Sequence, residues 1–353
     1  MSDFDWTGAT SSAWTTGSNW SVAGTPQASP PTAADNAVFS VADASDCAIG
    51  GAATCLNLVA TGYIGTISGS SALAISGGFT SGSATTWSYS GTITFNATSG
   101  THSINTNGAS INSALVFDGV GGSWQLASNV VNAATRDITL TNGTFDFNDF
   151  NYEGRNFVFT GTNTRVLRLG NGTLTAKNVT GTSWSLADPT NLTFDAEGST
   201  IVIAGSSTGT ARTFAGGGLT YNNFTFSGSG TGDLIITGTN TFNTFRISVV
   251  PLEIQVTAGT TQSAAQWNIS GTSGNVNAFT SVTPGSTYTL HKVGGGIVEV
   301  DFVSLTDAIC TPENNWYIGA GGTVGSGTTG AIATAEPDTP LRIGRRRHMV
   351  RSV

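Results

Sequence analysis

Lysine is nearly missing from this chain: Lys177 and Lys292 are the only two among 353 residues. Charged residues make up 10% of the sequence, against roughly a quarter in an ordinary globular protein. Methionine occurs twice, and glutamate is sparse. These residues normally coat helix surfaces, so their scarcity argues against helix. Proline is absent between Pro31 and Pro189, which leaves a long stretch where no residue lacks a ladder donor. No segment approaches the run of about 18 apolar residues that marks a membrane helix. The opening Met1-Ser-Asp-Phe-Asp-Trp6 has neither a basic nor an apolar leader region, so no export signal is expected.

Chemistry-bearing residues are equally thin. Three cysteines, Cys47, Cys55 and Cys310, cannot close a disulfide framework among themselves. Cys47 and Cys55 are near enough in sequence to pair, but three buried thiols are the simpler expectation. His102, His291 and His348 lie far apart, with no Cys or His partner at ligand spacing, so no metal is expected. No calcium loop, phosphate-binding loop with lysine, or Gly-x-Ser-x-Gly elbow occurs. No cofactor is expected either.

What fills the chain is glycine, at 47 residues, together with Thr, Ser and Asn. The 38% hydrophobic content is enough for a core. Short period-two segments recur, among them Thr92-Ile-Thr-Phe95, Ala114-Leu-Val-Phe117, Asp137-Ile-Thr-Leu140 and Thr200-Ile-Val-Ile203. Gly, Asn or Ser separates nearly all of them, so each reads as a strand with one buried face. A sandwich, a barrel and a solenoid all fit this pattern. Repetition favours the solenoid. Ser123-Trp-Gln-Leu-Ala127 returns 60 residues later as Ser183-Trp-Ser-Leu-Ala187, and Thr86-Trp-Ser-Tyr89 is a looser copy. Asn142-Gly-Thr-Phe145 resembles Asn171-Gly-Thr-Leu174, and each reads as a tight turn before a strand. The expected fold is therefore all-β: an elongated parallel β-solenoid (β-helix) with rungs of roughly twenty residues. A multi-sheet β-sandwich is the alternative.

Three regions are expected. Residues 1–45 would form an aromatic N-terminal cap built on Trp6, Trp14, Trp20 and Phe39, because a solenoid end exposes an apolar cross-section. Residues 46–305 would form the solenoid. Residues 306–353 would hold an extended Gly/Ser/Thr arm, at 320–340, and a basic tail. The tail carries Arg342, Arg345, Arg346, Arg347 and Arg351, five of the 13 basic residues. The remaining 8 basic residues face 21 acidic ones, so the body bears a net charge of −13. Such a body is not expected to bind nucleic acid. The tail is a candidate anchor on an acidic partner surface, with a solvated tail as the plain alternative.

The densest acidic patch is Asp146, Asp149 and Glu153, with Arg155 nearby. Clustered carboxylates can act as acid and base on glycosidic bonds. The plainer reading is a solvated loop with an ion pair to Arg155. Asp195 with Glu197 is a second, weaker pair.

Trp6-Thr-Gly, Trp14, Asn19-Trp-Ser21 and Asp35-Asn-Ala-Val-Phe39 resemble the opening of autotransporter-type and phage-type β-solenoids. Gly121-Gly-Ser-Trp124, Arg165-Val-Leu-Arg-Leu-Gly170, Phe214-Ala-Gly-Gly-Gly218 and Val300-Asp-Phe-Val-Ser304 resemble repetitive structural proteins of tailed bacteriophages. The resemblance covers about residues 5–320 and implies a virion structural protein: a head decoration, a fibre or a tail-associated component. Other capsid or tail proteins would be its partners, a symmetric homo-oligomer (a trimer foremost) its assembly, and host glycans its contacts. It brings no catalytic residue, and no membrane contact is expected. Two rivals stay open: a bacterial cell-surface adhesin or autotransporter-like passenger, and a phage polysaccharide depolymerase.

Overall fold

A computed structural model describes residues 1–40 and 45–335. Among these the chain is strand and turn throughout, with no α-helix and one 3-10 turn at Gly17–Asn19. Among the described residues no helix is long and apolar enough to cross a membrane. The strands stack in parallel, in register, into a β-solenoid of about 13 turns.

The cross-section has three faces. The first runs from Ala53–Cys55 through Leu73–Ile75 and Thr92–Phe95 to Val303–Leu305 and Thr323–Val324. Its inward column contains Ile93, Leu115, Ile138, Phe157, Trp184 and Phe214, each directly above the last and each buried. The second face starts at Asp3–Trp6, passes through Leu58–Ala60 and Thr101–Asn105, and ends at Leu192–Asp195. Two long strands, Ala114–Leu126 and Ile138–Asp146, continue from the first face to the second without a break, with a register shift between Asp118 and Ser123. The third face carries Cys47–Ile49, Thr66–Gly69 and Thr86–Trp87, and later Tyr152–Gly154, Thr200–Ile203, Thr220–Phe226, Asn240–Ile247 and Thr261–Asn268.

This stacking follows from composition. A single turn buries too little apolar surface to fold alone, but its inward Phe, Leu and Ile meet their like on the turns above and below. Phe95, Phe117 and Phe145 illustrate this: their rings stack with centroids 4.9 and 4.1 Å apart. Outward positions hold the small polar residues, in columns such as Thr173–Thr200–Asn223–Thr244–Gln266.

The four aromatic residues of the N-terminal segment cluster at the first turn. Trp6 and Trp14 pack edge-on against Trp20, at 5.0 and 4.7 Å, and Phe39 joins them at 5.6 Å from Trp20. All four are at most 1% exposed. Asp3–Trp6 pairs antiparallel with Trp20–Val22, which pairs with Thr25–Pro26. Buried Asn19 ties the cap loop: its side-chain oxygen accepts from Thr10 N at 3.0 Å and Ser11 N at 2.9 Å, and its amide donates to Ala13 O at 2.8 Å. The cap is continuous with the stack, because Asp3–Trp6 also pairs in parallel with Asn36–Val38.

Other expectations need correction. Beyond the N-terminal segment the turns vary in length, from 15 residues between Trp316 and Ala331 to 30 between Trp184 and Phe214. The Ser-Trp-x-Leu-Ala copies are not equivalent rungs. Trp124 lies on the second face, Trp184 on the first and Trp87 on the third. What they share is a bulky inward aromatic, not a register. Asn142-Gly143 makes no hairpin. Gly143 sits inside Ile138–Asp146 with φ +81°, where a Cβ would press on the main-chain oxygens of Gly119 and Gly122. The stack also outlasts residue 305. Trp316–Tyr317, Thr323–Val324 and Ala331–Ile332 all pair in parallel, so part of the expected arm belongs to the solenoid. Cys47, Cys55 and Cys310 are free buried thiols. Arg342, Arg345, Arg346, Arg347 and Arg351 lie outside the described residues.

Candidate functional site

The expected acidic patch splits. Glu153 lies on the third face and pairs with Lys177. Arg155 pairs with Asp137 through two hydrogen bonds of 2.7 and 2.6 Å. Both therefore leave the cluster. Asp146 and Asp149 instead join the second candidate pair. Asp146, Arg168 and Asp195 are consecutive outward positions of one column on the second face. Asp149 accepts from the main chain and side chain of Asn171, at 2.8 and 2.7 Å. Glu197 completes the group, in a turn that places it at φ +43°. Its carboxyl is raised above the ordinary range by partial desolvation and by the charges of Asp195, Asp146 and Asp149, with Arg168 working against them. Glu197 therefore feels three other carboxylates and one arginine. Among the described residues, no group of three or more His, Cys, Asp or Glu is placed to hold a metal ion.

This cluster borders a groove. Leu192–Asp195 is the last strand of the second face, and among the described strands it pairs only with Arg165–Arg168 below it. Above it the long strands Thr220–Phe226, Asn240–Ile247 and Thr261–Asn268 bend. Tyr221 and Phe224 both point inward although three residues apart, and Phe242 with Phe245 and Ala264 with Trp267 repeat the offset. The bend leaves a concavity of about 660 Å³ lined by Phe194, Asp195, Glu197, Thr220, Asn222, Thr241 and Asn243, among others. Phe194 points inward yet remains partly exposed, because no second-face strand covers it. Its ring lies 5.2 Å from that of Tyr221.

Two buried arginines hold the loops on which these strands hang. Arg165, 1% exposed, donates to the main-chain oxygens of Phe159, Gly161, Asn163 and Thr190. Arg212, fully buried, donates to those of Gly205, Ser229 and Gly232, and its guanidinium carbon lies 4.5 Å from the centre of the Phe226 ring. Burial lowers both pKa values, opposed by Asp188 and Asp233 respectively. Sequence reading did not single them out, although the signal was there. In Arg165-Val-Leu-Arg-Leu169 the first arginine shares the parity of Leu167 and Leu169, and Arg212 that of Phe214. Period two therefore points both inward. Phe194, Asn222 and Asn243 were missed because the groove depends on where one face stops, which no local pattern encodes.

No protein-family model, curated protein or solved structure matches the chain.

Proposed function

We propose that this chain is a structural protein displayed on the outside of a bacteriophage particle, as a head decoration, fibre or tail-associated component. Its outer faces would make weak, multivalent contacts to glycans of the host surface. The observation that carries this reading is the in-register outer columns of uncharged hydrogen-bonding side chains, such as Thr173–Thr200–Asn223–Thr244–Gln266. At about 4.8 Å per strand, thirteen turns give a rigid stack roughly 60 Å long. A neutral amide and hydroxyl surface suits polyols, and repetition converts weak contacts into avidity. The resemblance of the Trp6 to Phe39 segment to phage-type solenoids supports the virion placement. Beads coated with the chain, offered to bacteria of the host range, test the reading: coated beads should adhere while the free monomer washes off. Equal washing of both argues against attachment.

A second reading rests on the gathering of Asp146, Asp149, Asp195 and Glu197 beside a groove. A depolymerase would use Glu197, whose raised pKa suits a general acid. Release of reducing ends from host polysaccharide, abolished by Glu197→Gln, would support it; no release would remove it.

A further inference from the structure

We propose that the groove above Leu192–Asp195 binds a neutral oligosaccharide chain laid along the solenoid axis; this deepens the attachment reading and rests on it. Its walls belong to successive turns. Thr220 pairs with Thr241 in the ladder, and Tyr221 with Phe242, so Asn222 and Asn243 fall in one column, with Ala265 and Val293 above. Four strand steps at about 4.8 Å make the trough roughly 19 Å long, enough for several linked sugars. Its polar groups, Thr220 with Asn222 and Thr241 with Asn243, repeat on two successive turns, and Ala265 and Val293 line the rest.

Several amides of the stack are tied to neighbouring turns. Asn57 donates to Asn36, Asn142 to Asp118, Asn171 to Asp149 and Asn240 to Gln262, so those amides serve the fold. Within the described residues, the side chains of Asn222, Thr220 and Thr241 have no such partner, and Asn243 makes one long contact of 3.5 Å to Asn223. Amides and hydroxyls left open in a concave site, with the partly exposed Phe194 ring at its floor, form the mixture that a sugar's hydroxyls and C–H face require.

Charge narrows the ligand class. Asp195 and Glu197 stand at one end, Asp146 and Asp149 lie close by, and Lys292, at the other end, donates to the main-chain oxygens of Ala265 and Val293. A uronate or sialylated chain would meet net negative charge, so a neutral chain of hexoses or N-acetylhexosamines is favoured. A peptide strand added to the open edge of Leu192–Asp195 is the competing occupant. It would pair with four residues and leave Asn222, Asn243, Thr220 and Thr241 unused.

The test is an array of neutral, uronate-containing and sialylated oligosaccharides probed with the full chain, with Asn222→Ala and Thr241→Val as variants. Thr241→Val keeps the branched shape a strand prefers, so it reports on the hydroxyl while the far-UV spectrum stays unchanged. Neutral members should bind with little salt dependence, and each variant should weaken them about tenfold. Binding confined to anionic members, no binding to any member, or unchanged binding by both variants overturns the assignment. So does capture of extended peptides that Thr193→Pro blocks. If variant-coated beads adhere to cells as well as wild-type ones, the groove assignment fails while attachment stands. If the array binds but wild-type beads do not adhere, attachment fails while the groove stands.

Discussion

Replacing Phe145 by alanine tests whether the stacked core is what holds the turns together. Phe145 is fully buried in mid-stack. Its ring lies 4.1 Å from that of Phe117 below and 4.8 Å from that of Phe147, and Leu167 pairs with it above. Phe→Ala in a packed core costs about 3–5 kcal/mol, from lost transfer free energy and the cavity left behind. The upper half is expected here, because two aromatic contacts are lost and neighbouring ladder strands cannot collapse inward. Phe145→Leu keeps most of the volume and should cost about 1–1.5 kcal/mol. Thr193→Ala, at an exposed position two turns above, should stay within about 0.5 kcal/mol. Guanidinium unfolding followed by far-UV circular dichroism and tryptophan fluorescence measures all three. Tryptophans lie on both sides of the Phe145 turn, from Trp6 to Trp124 below it and from Trp184 to Trp316 above it, so a transition that splits there would show as two steps with a reduced slope. A loss under about 1 kcal/mol for Phe145→Ala, with one unchanged transition, would refute the stacked-core argument.

Further outcomes follow from other sites. Arg212→Lys cannot span the carbonyls of Gly205, Ser229 and Gly232, and should lose about 2–4 kcal/mol in the same unfolding assay. Asn19→Ala strips the cap loop of its buried hydrogen bonds and should cost about 1–3 kcal/mol, with hydrogen exchange rising first around Thr10 to Ala13. Asp137→Asn breaks a half-exposed pair with Arg155 and should change stability by less than about 1 kcal/mol. Glu197 has a raised carboxyl pKa, so its stabilising contribution is present below the ordinary glutamate range and lost as pH rises through the folded-state value. Glu197→Gln should therefore raise the melting temperature at pH 7 and leave it unchanged well below the glutamate range. A lower melting temperature at pH 7 would contradict the crowding of carboxylates.

Much of the architecture was written locally. Period two in Thr92-Ile-Thr-Phe95 or Thr200-Ile-Val-Ile203 placed the inward residues correctly, because side-chain alternation in a strand needs no tertiary information. Trp6, Trp14 and Trp20 stood out by their density in the first twenty residues, and their rings pack together. Register was not legible. The Ser-Trp-x-Leu-Ala copies suggested equivalent rungs, yet loops of unequal length carry Trp124 and Trp184 to different faces. The acidic site was half legible. Asp146 and Asp149 were noticed, but sequence proximity grouped them with Glu153, whereas parallel stacking brings in Asp195 and Glu197 from farther along the chain. Sequence neighbours such as Asp149 and Glu153 round a corner onto different faces, while residues one turn apart meet.

The proposed display on a phage particle is tested most directly by locating the chain. Gold-labelled antibody against the solenoid, applied to intact particles from the producing culture and imaged by cryo-electron microscopy, should decorate their exterior at regular positions. Gold absent from intact particles, with the chain recovered only in the soluble fraction of the cells, would contradict a displayed structural role.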